Sequence, residues 1–116
     1  MIQRLLAATV IAFLISPPAL AEVAECGLPP TVSPNIPDGT KATREEIMAA
    51  AEAVKTYGKS VNAFLDCQEE AKKELFLVLT RAQQGRWAED FNALADRLTE
   101  VETSLNEQIR IFNARE

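Results

Sequence analysis

Apolar residues recur at seven-residue intervals between Ile47 and Ala82, and that spacing restricts the chain to an architecture built on long helices. Ile47, Val54, Val61, Gln68, Leu75 and Ala82 share one heptad position. Ala50, Tyr57, Phe64, Ala71 and Val78 occupy the companion position three residues on, and Ala51, Leu65 and Leu79 widen the stripe. A helix that buries one face produces this pattern, whereas a strand alternates with period two. Thr43-Arg44-Glu45-Glu46 marks the start as a capping box, in which the threonine hydroxyl caps a free backbone N–H and Glu46 reaches back. Gly58 interrupts the composition at a cost of about 1 kcal/mol relative to alanine. The phase runs unbroken across it, which implies close packing rather than a break.

The stripe predicts a first helix over about 44–83. Continued further, it would fall on Arg86, Glu89, Ala93 and Asp96, which are mostly charged. Apolar residues instead restart out of phase at Trp87, Phe91, Leu94, Leu98, Val101, Leu105 and Phe112, with one interruption at Gln108. A turn using Gly85 as a left-handed cap accounts for the slip, followed by a second helix over about 87–113. Glu89 and Asp90 then lie near its start, and Arg110 and Arg115 near its end, as the helix dipole favours. A short turn between such helices implies an antiparallel hairpin. Pairing outward from that turn sets Val78 near Phe91, Leu75 near Leu94, Phe64 or Leu65 near Leu105, and Tyr57 near Phe112. The first turns of helix 1 outlast helix 2 in this register. Ile47, Ala51, Val54 and Tyr57 therefore form a candidate partner-binding face, to be covered by the preceding segment or by a second copy that completes a bundle.

Residues 1–21 read as a cleaved secretory leader. Arg4 gives a positive start, Leu5 to Ile15 form an apolar run, and Ala19-Leu20-Ala21 is a small-residue cleavage signal. The run is shorter than the roughly 20 residues a spanning helix needs. Val23-Ala24-Glu25-Cys26 superficially resembles a lipidation box, but Glu25 is neither small nor neutral, which argues against a lipoprotein. Cleavage after Ala21 leaves 95 residues and a net charge of −6, because only Arg4 departs with the leader. An acidic exported chain has no electrostatic footprint for nucleic acid and is repelled by anionic lipid surfaces. No other segment is apolar enough to insert in a membrane, so the expected location is the periplasm.

Export places Cys26 and Cys67 in an oxidising compartment. Without histidine, two cysteines do not make a four-ligand zinc site. One intramolecular disulfide is the plain reading, and an intermolecular bridge or a redox pair are its rivals. In the chain-entropy model, closing a loop of roughly 40 residues contributes about 4 kcal/mol. Residues 22–42, with Pro29-Pro30, Pro34 and Pro37, are barred from a helix and favour extended geometry. Pro37-Asp38-Gly39 is a turn signal just before helix 1. The segment's roughly 53 Å reach exceeds the roughly 35 Å of helix between Arg44 and Cys67, so it can run back as a strap. The predicted fold is thus an all-α, antiparallel two-helix hairpin (43–116) with an extended proline-rich strap tied by one disulfide.

The set Cys26, Pro37-Asp38-Gly39, Ala42-Thr43, Glu46, Met48, Ala53-Val54-Lys55 and Phe64-Leu65-Asp66-Cys67 resembles a family of small exported proteobacterial proteins whose activity is uncharacterised. Phe91-Asn92, Leu105-Asn106 and Arg110-Ile111-Phe112 match the same pattern. The resemblance implies export, paired cysteines and a helical hairpin, and it implies no catalytic residue. Gly58 lies where the pattern carries a larger residue, which bears on how straight helix 1 is.

Chemistry-bearing clusters are sparse. Asp66, Glu69, Glu70 and Glu74 are interleaved with Lys72 and Lys73, the pattern of a solvated charged face with pairs at helical spacing. Asn92, Asn106 and Asn113 share one heptad position, with Thr99 in the gap, and read either as ordinary solvent-exposed residues or as a candidate ladder for holding the strap or a partner's extended segment. Trp87 reads as a core plug at the turn end or, alternatively, an exposed anchor. The absence of histidine excludes serine–histidine and cysteine–histidine catalysis, and there is no glycine-rich phosphate loop. No cofactor or metal is expected. Two function classes follow: a non-enzymatic interaction module that binds itself or another envelope protein, or a carrier of a small apolar ligand.

Overall fold

The computed structural model describes residues 26–115, so the expected leader, its cleavage point and the lipidation-like residues lie outside the described part. Two helices account for most of the described chain, α1 at Arg44–Leu75 and α2 at Arg81–Arg115. They form an antiparallel hairpin. The extended segment from Cys26 onward lies along it, with Cys26 joined to Cys67 at a Cα separation of 5.6 Å. No helix among the described residues is long and apolar enough to cross a membrane.

The capping box at Thr43 forms as its sequence requires. The Glu46 N–H donates to Thr43 Oγ1 at 3.1 Å, and the Thr43 N–H donates to the Glu46 carboxylate at 3.3 Å. The other end of α1 departs from expectation. The helix stops at Leu75 instead of about 83, and α2 begins at Arg81 instead of about 87. A second capping box, Thr80-Arg81-Ala82-Gln83, makes the start of α2. Gln83 N–H donates to Thr80 Oγ1 at 3.2 Å, and Thr80 N–H donates to Gln83 Oε1 at 2.9 Å. Gln84 closes the turn from the other side, its Nε2 donating to the carbonyls of Phe76 (2.9 Å) and Leu79 (3.2 Å). Two glutamines and a threonine therefore satisfy groups that would otherwise be orphaned at adjoining helix ends. Gly85 lies within α2 without a positive φ, so it is no left-handed cap. Glu89 and Asp90 consequently fall in the third turn of α2, away from its N-terminus.

Moving the turn moves the register. Phe112 packs with Ile47 and Ala42, ten residues nearer the start of α1 than its expected neighbour Tyr57. α2 therefore covers the whole of α1. The main core joins Ala50, Val54, Tyr57, Val61 and Leu65 to Leu94, Leu98, Val101 and Leu105, with Val61 fully buried. Gly58 is buried, and a Cβ there would stand 3.6 Å from Leu98 Cδ1, an ordinary contact. The two backbones are thus not forced together at Gly58, contrary to the close packing expected of it. α1 runs unbroken through that position.

The strap supplies Ile36 to the main core and Ala42 to the smaller cluster. Pro29, Pro30 and Thr31 stand over a groove between the helices, while Val32 to Pro34 follow α1 past Thr56 and Ala53. Asp38 then turns the chain: its backbone carbonyl accepts from the N–H groups of Lys41 (3.1 Å) and Ala42 (2.8 Å). Its carboxylate accepts from the Thr40 N–H at 2.9 Å and the Thr40 hydroxyl at 2.7 Å.

Candidate functional site

The face formed by Ile47, Ala51, Val54 and Tyr57 is not free. Ile47, Val54 and Tyr57 are buried and Ala51 is half-buried, because the corrected register brings Phe112 and its neighbours over them. The Tyr57 hydroxyl is buried with no hydrogen-bond partner among the described residues. The apolar end that was expected to need the strap or a second copy is closed by the chain's own second helix together with Ile36 and Ala42 of the strap.

The asparagine ladder does not hold the strap either. Asn92, Asn106 and Asn113 are exposed and make no side-chain hydrogen bond among the described residues. That work falls to Gln108 and Arg115. The Gly39 N–H donates to Gln108 Oε1 at 2.7 Å, across 69 residues of sequence. Arg115 Nη1 donates to the carbonyls of Gly39 (2.8 Å) and Ala42 (3.0 Å), and its guanidinium lies 5.3 Å from the Phe112 ring centroid. Gly39 sits so close to α2 that a Cβ would be 2.3 Å from the Gln108 carbonyl oxygen. The signal for this latch was visible in the sequence: Gln108 is the one polar residue in the α2 seam, where it looks like a fault in the packing.

Electrostatics are shallow throughout. The Thr40 hydroxyl and N–H hold the Asp38 carboxyl below its ordinary pKa, with smaller help from the Lys41 and Arg115 charges. The Glu107 carboxyl is lowered by its hydrogen bond to Arg110 and by that residue's charge, and the Arg110 guanidinium is raised in return. All three groups lie at the surface, where such pairs contribute little to stability. Of the pairs expected on α1, Glu70 and Lys73 meet at 3.0 Å and both are exposed. Among the described residues, no group of three or more acidic or cysteine side chains is arranged to hold a metal ion.

Among the described residues, two features stand out for the apolar surface they present to solvent. One is a groove of about 340 Å³ beneath Pro29–Thr31, lined by Phe64, Trp87, Phe91 and Leu94, with Gln68, Asp90 and Arg97 among its polar members. The other is the hairpin tip. Leu75 to Leu79 are five consecutive apolar residues, and the turn at Leu75 forces the middle ones outward. Leu77 is 85% and Val78 78% exposed, while Phe76 packs edge-on against Trp87 with ring centroids 6.0 Å apart. Trp87 therefore belongs to both features, as a wall of the groove and a support of the tip. Val78 was expected to continue the buried stripe, and the early turn is what exposes it beside Leu77.

Comparison with protein-family models, with curated proteins and with solved structures finds no match to this chain.

Proposed function

We propose that this chain is a non-enzymatic helical interaction module of the periplasm, and that it engages its partner through the hairpin tip rather than through the Ile47–Tyr57 face. The exposed Leu77–Val78 pair carries the reading. Elsewhere the large exposed apolar residues, Leu28, Val32 and Met48, are not adjacent in sequence and need no explanation singly. Two neighbouring ones at a protruding end, braced by an aromatic pair, mark a place kept apolar against the solvation preference of a turn. Export rests on the leader-like residues 1–21 and fits the Cys26–Cys67 disulfide. Membership of the exported two-cysteine family that the motifs resemble is part of the same proposal. The lack of histidine and the shallowness of the hairpin surface support the non-enzymatic part.

A photo-crosslinking residue at position 77 tests it in the native envelope, with the same residue at Glu100, on the exposed side of α2, as control. The expected result is an adduct, with protein or with lipid, from position 77 and none from position 100. Equal labelling at both positions, or none at either, overturns the tip as the working end. A second reading, a carrier of a small apolar ligand, is favoured by the groove at Phe64, Trp87 and Phe91. It requires a small molecule to accompany the folded chain in native mass spectrometry and to leave when Phe91 is replaced by Asp.

A further inference from the structure

Resting on the reading of the tip as the working end, we propose that its partner is an anionic lipid bilayer surface. Leu77 and Val78 enter the headgroup boundary, and Lys72, Arg81 and Arg86 meet the lipid phosphates. The acidic charge of the whole chain points the other way, but it is not evenly spread. Between Lys72 and Arg86 there are four cations, Lys72, Lys73, Arg81 and Arg86, against one anion, Glu74. Lys73 is tied to Glu70 of the preceding turn, which leaves three cations facing one carboxylate around the apolar turn. Lys72 holds its ammonium 5.0 Å from the Phe76 ring centroid, beside the apolar end.

Distance decides between the local and the overall charge. Glu69, Glu89 and Asp90 lie about 9–14 Å back along the helices from the turn, at 1.5 Å per residue. That is beyond the Debye length of about 8 Å at physiological salt, so a surface touching the tip senses mainly the cations. Arg81 starts α2, and Arg86 is only about 7 Å further on.

Shape favours lipid over protein. A stable protein interface covers about 800 Å² per partner, far more than two side chains on a narrow turn can offer. Insertion of a few apolar side chains about 5–10 Å into the headgroup and acyl boundary needs no such area. Trp87 stands behind the tip with its ring edge-on against Phe76, so contact of the tip with a bilayer alters the surroundings of that pair. Nothing here requires a spanning helix: the tip rests on the bilayer and the rest of the hairpin stands in water.

Trp87 is the only tryptophan and supplies the readout. The chain from residue 22 onward, which holds the strap, disulfide and hairpin, is mixed with vesicles of phosphatidylcholine containing about one-third phosphatidylglycerol, or of phosphatidylcholine alone. The expected result is flotation with the anionic vesicles and a blue shift of Trp87 emission, both weaker on neutral vesicles and at high salt. Leu77→Asp with Val78→Asp is expected to lower partitioning at least about tenfold. Arg81→Gln with Arg86→Gln is expected to lower it about twenty-fivefold on anionic vesicles only, near fivefold per cation. Circular dichroism checks that each variant keeps its helices. Absence of flotation by the unaltered chain, or flotation unchanged by the tip substitutions, overturns the lipid proposal. Should the unaltered chain instead form a concentration-dependent dimer that Leu77→Asp abolishes, with no vesicle binding, lipid is excluded and the tip is still the working end. A monomer that binds no vesicle and gives no crosslink at position 77 overturns both readings.

Discussion

Replacing Gly39 with alanine tests the latch between strap and α2. The φ of Gly39 is not positive, so its backbone suits any residue and only the space around it is restrictive. An added Cβ would lie 2.3 Å from the Gln108 carbonyl oxygen, 3.1 Å from its carbonyl carbon and 3.2 Å from its Oε1. The first two are backbone atoms inside a 35-residue helix, two turns from its C-terminal end, and cannot rotate away. The strap turn must therefore lift off α2. Overpacking of this kind costs about 1–3 kcal/mol. Lifting also stretches the Gly39 N–H to Gln108 bond, at about 1 kcal/mol, and the two Arg115 bonds to Gly39 and Ala42. We expect a net loss of about 2–3 kcal/mol, or about 10–20 °C in Tm for a domain of this size. Urea unfolding followed by circular dichroism measures it, with Gly85→Ala as the control. Gly85 has nothing within 4 Å of its Cβ position inside α2, so that variant is expected to gain up to about 1 kcal/mol from helix propensity. A Gly39→Ala loss below about 0.5 kcal/mol, or one matched by Gly85→Ala, would refute the latch.

Gly58→Ala is expected to stabilise by about 0.5–1 kcal/mol in the same urea assay, because its Cβ meets Leu98 and Glu102 only at van der Waals distance; destabilisation would show that the helices are tighter there than described. Cys26→Ser with Cys67→Ser, a separation of 41 residues, is expected to lower stability by about 4 kcal/mol, and a loss under about 1 kcal/mol in urea unfolding would remove the disulfide from the account. Asp38 and Glu107 have lowered folded-state pKa values, so their contribution is present above the ordinary carboxylate range and is lost as pH falls through their folded values. With no histidine, thermal melts are expected to be flat from about pH 5.5 to 8 and to fall only in acid; a transition near neutral pH would contradict this.

The hairpin, the strap and its disulfide were legible because each has a local physical signature: a heptad stripe, clustered prolines, and two cysteines in a chain without histidine. The turn was not. Leu75, Val78, Leu79 and Ala82 keep the phase of α1 through the break, so periodicity continues where the helix has ended. The competing signal, Thr80-Arg81-Ala82-Gln83, has the form of a capping box at a position where the stripe still looked intact. Misplacing the turn carried the whole register with it, left Ile47 and Val54 apparently uncovered, and hid the tip. Gln108 was missed for a related reason. A polar residue in a seam reads as a defect until a backbone N–H from a distant segment is seen to need it. Asn92, Asn106 and Asn113 offered the right chemistry on the wrong side of the helix.

Both cysteines precede α2 in the chain. A polypeptide emerging N-terminus first therefore presents everything needed for the Cys26–Cys67 ring before any residue of α2 exists. That ring contains the strap and the first three-quarters of α1, and α2 is wholly outside it. Chain order alone permits one sequence of assembly: the covalent bracket can close before α2 is delivered. In that order α2 meets a bracket whose two arms are already joined, and Gln108 and Arg115 fasten its C-terminal end to the strap.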